Sequence, residues 1–241
     1  MANEGKRTRG RSRFFANSAL VMLALVVASF SFTYFYPVAT GAGFAPIFHI
    51  HAVVFFGWML LYAYQTQMVA AGRVARHREW GLAGIALSSL MLPLGVALMI
   101  AAARRRMLAG NPYPFDNSLF NIADIASFAI LMTASIAAVT RHADWHRRLT
   151  FGAALALVGP ALSRWLVFVP QTPPWSDMLP NLGAEIFLVA LAVHDWRTIG
   201  RVHPATWCIA AVLVPLAVAV PMLITSDWWR GMGPMVMKLA V

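Results

Sequence analysis

The sequence predicts an all-α polytopic membrane protein, a bundle of about seven transmembrane helices with a cytoplasmic N-terminus and a periplasmic C-terminus. Three observations predict it. The apolar runs are about twenty residues long, enough to cross a hydrocarbon core of roughly 30 Å as helices and twice what a barrel strand needs. Charged residues make up 12% of the chain against 60% hydrophobic, about half the charged share of a soluble domain. The basic residues fall in short clusters between the apolar runs, where topology signals and contacts to anionic lipid head groups belong.

Residues 1–13 hold Lys6, Arg7, Arg9, Arg11 and Arg13 without a packing pattern, and read as a disordered basic head in the cytoplasm. Residues 14–36 form the first span. It reads as uncleaved: it outruns a signal-peptide core, ends in Tyr34-Phe35-Tyr36-Pro37, and no A-x-A site follows. After a short uncharged outer loop, residues 47–70 are the second span. A basic turn with Arg73, Arg76, His77 and Arg78 leads to the third, residues 80–103, where Pro93 predicts a kink. Residues 104–117 read as a loop. The fourth span covers 118–139 and the fifth 149–169, with Pro160 and Arg164 inside it. The sixth covers 181–194 and the seventh 204–225, so that 14–225 is one helical bundle and 226–241 a short tail.

With seven spans, thirteen Lys and Arg residues fall on the cytoplasmic side and five outside, as the positive-inside rule requires. Arg104, Arg105 and Arg106 are the discordant cluster, and the side of their loop is left open. This balance places the chain as a multi-pass protein of a bacterial cell inner membrane. The net charge of +10 is accounted for by these clusters, so the bilayer is the expected partner and nucleic acid is not. Partner membrane proteins and self-association stay open. The single cysteine, Cys208, lies in a predicted span, so no disulfide forms within the chain; it reads as a small core residue.

The second span carries the best pointer to function. His51, Trp58, Tyr62 and Gln65 fall at i, i+7, i+11 and i+14, on one helix face over about 21 Å at 1.5 Å per residue. Depth adds a second pattern. His51, Asp124, Arg164 and Glu185 each sit four to seven residues below the outer end of a different span, about 6–10 Å down. Unpaired charges at that depth cost several kcal/mol, so the four are expected to share a polar pocket, with Asn121 one turn from Asp124. The pocket can be a ligand or proton site, or an ion-pair cluster that only fixes packing.

Other chemistries are weaker. His49 and His51 lie on nearly opposite faces of one helix and cannot clamp one haem iron. His77 and His146, each opening a span, are the better pair for a b-type haem. Against it, they and Arg78, Arg147 and Arg148 can equally lie among head groups. No H-E-x-x-H or other helical metal pattern is present, and no glycine-rich phosphate loop. The only lysines, Lys6 and Lys238, lie outside the spans, which excludes a retinal Schiff base.

The segments H-A-V-V-F-F-G-W-M-L-L-Y-A-Y-Q, H-R-E-W-G, I-A-D-I-A-S-F, H-R-R-L and G-P-A-L-S-R, within residues 48–165, resemble a family of uncharacterised bacterial multi-pass membrane proteins. The resemblance implies no particular activity. It singles out His51, Gln65, His77, Arg78, Asp124, His146, Arg148 and Arg164. The leading expectation is a small membrane protein with a periplasm-facing polar pocket that binds a small molecule or couples to proton movement. Two others stand beside it: a redox protein holding haem b or quinone, and a non-catalytic subunit or assembly factor of a larger membrane complex.

Overall fold

Seven helices long and apolar enough to span a membrane make up the computed structural model. It describes residues 2–238, the side chains of residues 2–12, 234 and 236–238 excepted. The spans are α1 (Arg13–Ala39), α2 (Pro46–Ala70), α3 (Val74–Leu108), α4 (Ser118–Ala138), α5 (Ala143–Phe168), α6 (Trp175–Ile199) and α7 (Pro204–Leu223). A further helix, α8 (Asp227–Lys238), follows. No strand occurs among the described residues. Residues 2–12, expected to be a disordered head, are described in their backbone alone, which is helical from Ala2 and continuous with α1.

The helices run past the apolar cores that predict them. Residues 104–108, expected in a loop, continue α3, because arginine is a good helix former and its charge tolerates the membrane surface. The helix stops where Gly110 turns left-handed, at φ +74°. Its N–H donates to Met107 O at 3.0 Å and that of Asn111 to Arg106 O at 3.1 Å, so the last carbonyls are paired. Residues 74–79 are likewise helical rather than a turn. The sixth span begins at Trp175 and ends at Ile199, not at 181 and 194. Pro93 lies inside one continuous helix.

Helices α1, α2 and α3 pack side by side, and α4 and α5 form the most extensive pair. The core is densest at the end where α1 begins. There Leu149, Phe151, Ala153, Ala154 and Leu155 of α5 are buried with Phe15 and Met22 of α1 and Ile209 of α7. The far end is looser. Residues Ser31–Phe35 of α1 widen into a π turn, and Ser163–Phe168 of α5 tighten into a 3₁₀ turn. Neither segment buries a residue. Cys208, expected in the core, is exposed on the outer face of α7.

Candidate functional site

The loosening of the far end opens a cavity of about 710 Å³ among α1 to α6. Its walls grade from apolar to polar along the helix axes. Met59, Met91 and Phe128 line its deep end, and Arg105, Arg106, Asn117 and Gln171 line it near the helix ends. His51, Asn121, Asp124 and Arg164 all face this one space. Four of the eight residues that the sequence singles out therefore converge, from α2, α4 and α5.

Each is held differently. The His51 ring packs on Phe55, with centroids 3.8 Å apart, and its Nδ1 is buried without a partner among the described residues. The Arg164 guanidinium lies 3.7 Å from the centroid of the Phe30 ring, and donates to Pro160 O. Pro160 leaves a break in α5 beneath it, because a proline cannot donate to the preceding turn. Arg106 Nε donates to Pro114 O at 2.8 Å, and its Nη2 is buried with no partner among the described residues. Asp124 makes no ion pair or hydrogen bond with a described residue, and none of the four ion pairs among the described residues involves His51, Asp124, Arg164 or Glu185. The packing-only alternative, an ion-pair cluster, is not what these residues form.

Glu185 does not reach the large cavity. Because α6 starts six residues earlier than expected, Glu185 lies about 15 Å along the axis from the helix start, not 6–10 Å. It lines a void of about 30 Å³ beside Asp124 and Asn181, and its Oε2 is buried without a partner among the described residues. Phe120, Asp124, Gly159 and Asn181 line both spaces and form the partition between them. Gly159 fits closely there: a Cβ at this position would overlap Asn181 Oδ1 and force that side chain to shift.

Trp58 and Tyr62 are buried in the core and not in the cavity wall. Their rings stack at 5.7 Å, and Phe128 meets Trp58 edge-on at 5.1 Å. Gln65 leaves the stripe for the opposite end, where His77 Nδ1 lies 2.8 Å from its Oε1. That end holds a second polar zone. His77 and His146 face each other with ring centroids 6.4 Å apart. Deeper in, Arg148 and Asp195 form an ion pair at 2.5 Å, with side chains only 2% and 0% exposed. Asp195 Oδ2 also accepts from Thr206 Oγ1 at 2.6 Å and from His203 N–H at 3.1 Å. Arg148 is thus a core residue and not a head-group contact.

Sequence reasoning missed Arg105, Arg106, Asn181 and Asp177 as cavity or void residues. Asn181 sits four residues before Glu185 on one helix face, a spacing that could have flagged it. The arginines could have been found by asking how far α3 continues beyond its apolar run. No family model, curated protein or solved structure matches this chain.

Proposed function

We propose that this protein binds a small amphipathic molecule with an anionic head in the far-end cavity, and that protons move on Asp124, His51 and Glu185 as it does so. The observation that carries this reading is the unpaired state of the polar wall. Three guanidiniums, from Arg105, Arg106 and Arg164, share one cavity with the carboxylates of Asp124 and Asp177. No ion pair joins any of the five to another described residue. Arg105 is exposed, but Arg106, Arg164, Asp124 and Asp177 are partly withdrawn from water. Charges so desolvated without partners are costly, and a ligand that supplies the partners is bound with the matching gain. Aromatic walls from Phe30, Phe55 and Phe128 suit the apolar part of such a molecule.

The reading also accounts for the one basic cluster that breaks the charge rule. With the N-terminus in the cytoplasm of a bacterial-type cell, the cavity opens toward the periplasm. Arg105 and Arg106 then stand on the translocated side because they serve the cavity, not the topology.

The test is a binding series on detergent-purified protein, read by thermal shift. A medium-chain carboxylate, the alcohol of the same length and the matching alkylammonium are compared. The carboxylate is expected to stabilise the protein most, and Arg164→Gln to lose at least half of that stabilisation. Equal shifts from carboxylate and alcohol, with no change in Arg164→Gln, would sink the reading.

A further inference from the structure

We propose that His77 and His146, at the end opposite the cavity, form a two-imidazole site for a transition-metal ion held between their Nε2 atoms. The hydrogen bonds of the two rings fix where their protons sit. Ser135 O lies 3.1 Å from His146 Nδ1. A carbonyl only accepts, so this nitrogen carries the hydrogen and Nε2 is left with a bare lone pair. Ser135 Oγ, at 2.9 Å, accepts from the same N–H. The hydroxyl of Thr150 meets Ser135 Oγ at 2.6 Å and donates to His146 O at 2.8 Å, which locks the arrangement. His77 repeats the pattern: its Nδ1 donates to Gln65 Oε1 at 2.8 Å. No described residue hydrogen-bonds either Nε2.

An Nδ1–H tied to a carbonyl or amide oxygen is how a metal-ligating histidine is fixed in tautomer and orientation. Here two such rings come from separate helices, α3 and α5, and both are half-buried. With both Nε2 atoms turned toward a shared ion about 2.0–2.1 Å from each, the centroid separation of 6.4 Å is that of a near-linear N–metal–N bridge. The donor count narrows the metal. No group of three or more His, Cys, Asp or Glu able to hold a metal occurs among the described residues. Zinc, which takes four ligands in structural sites, is poorly served by two. Two neutral imidazoles suit a two-coordinate copper(I) ion, or a haem iron whose porphyrin supplies the other four donors. Arg78, close enough to act on His77 electrostatically, further disfavours a bare dication.

The shared chemistry is axial coordination by two Nε2 atoms, and two titrations of the purified full chain separate its sources. Copper(I) is added in competition with a chromophoric chelator, and haemin is followed by its Soret band. One equivalent of one probe is expected to bind, and His77→Ala and His146→Ala are each expected to abolish stoichiometric binding. Gln65→Ala removes only the orienting bond and is expected to weaken affinity about 10–100-fold. It carries the test if a histidine variant fails to fold. His142→Ala, on the exposed turn, and Arg164→Gln, in the cavity, are expected to change nothing. Binding of neither probe, or binding that survives loss of both histidines, overturns the proposal. So does equal loss in His142→Ala, which would assign the metal to surface imidazoles.

Discussion

Asp195→Ala is expected to be among the most destabilising single substitutions in this protein. Asp195 is the buried anion of this site, with its side chain 0% exposed. It accepts from Arg148 Nε at 3.0 Å and from Nη2 at 2.5 Å, and its other oxygen takes Thr206 and the His203 amide. Removing it strands a guanidinium that is 2% exposed. The remaining anion, Asp144, is 3.6 Å away and 62% exposed, and a solvated partner offsets little. Breaking a buried pair by deleting one member costs about 3–5 kcal/mol. At about 2–4 °C per kcal/mol for a chain of this size, the melting temperature falls by about 6–20 °C. The assay is thermal unfolding in detergent, followed by intrinsic tryptophan fluorescence and by loss of the monodisperse gel-filtration peak. Glu79→Gln, at an exposed position, is the reference. Arg148→Met combined with Asp195→Leu is expected to recover part of the loss, since the stranded charge is gone. It does not recover all of it, because Thr206 Oγ1 and the His203 N–H lose their acceptor, at about 1–3 kcal/mol each where buried. An Asp195→Ala melt within 2 °C of Glu79→Gln (about the shift of 1 kcal/mol) would refute the reasoning.

Three other outcomes are expected. Asp124→Asn disturbs ligand binding while Glu79→Gln does not, because only Asp124 lines the cavity; equal binding isotherms for the two would remove the cavity from contention. Burial, and then the nearby Arg148 guanidinium, hold the His203 imidazole below its ordinary pKa. The unfolded chain therefore takes the proton first, so this contribution to stability is full above the ordinary histidine range and is lost as pH falls from about 6.5 toward the lowered folded-state value. The structural counterpart is the cap of α7, where unprotonated His203 Nδ1 accepts from Ala205 N–H at 3.1 Å; melting temperatures measured from pH 8 to 5 should fall, and fall less in His203→Gln. Gly159→Ala places a methyl group on Asn181 Oδ1 and is expected to cost about 1–3 kcal/mol, relieved in the double variant with Asn181→Ala and read by the same melts.

The existence of seven spans was legible because lipid demands uninterrupted apolar length, and hydropathy reports that directly. The ends were not. α3 carries its arginines for a further turn and α6 begins at Trp175, since interfacial Arg, Trp and Glu are compatible with helix and invisible to an apolar count. Depth counting brought His51, Asn121, Asp124 and Arg164 to one cavity. The same counting misplaced Glu185, whose depth depended on a helix start set six residues too late. The Arg148–Asp195 pair was out of reach for a different reason. Each residue sits in a run of charges that looks like a solvated turn, and they lie 47 positions apart. Only the meeting of α5, α6 and α7 distinguishes a buried pair from two head-group contacts.

These two polar assemblies stand at opposite ends of the bundle and make opposite use of charge. At one end Arg148, Asp195, Thr206 and His203 saturate one another, and the neighbouring stretch of α5 from Arg148 to Ala156 is buried at every residue but the half-buried Thr150. At the other, the charged groups of the cavity are left without ion pairs, and the flanking π and 3₁₀ segments bury nothing. Local opening starts where few apolar contacts hold the backbone, so the cavity end is the part free to rearrange around a ligand while the clamped end keeps the helices in register. α2 connects the two, with Trp58 and Tyr62 packed between His51 and Gln65. A change of occupancy at His51 that tilted α2 would therefore be felt at the Gln65–His77 bond. Histidine ring chemical shifts of His77, followed while a cavity ligand is titrated, measure that coupling; unmoved shifts at saturating ligand would show that the two ends act independently.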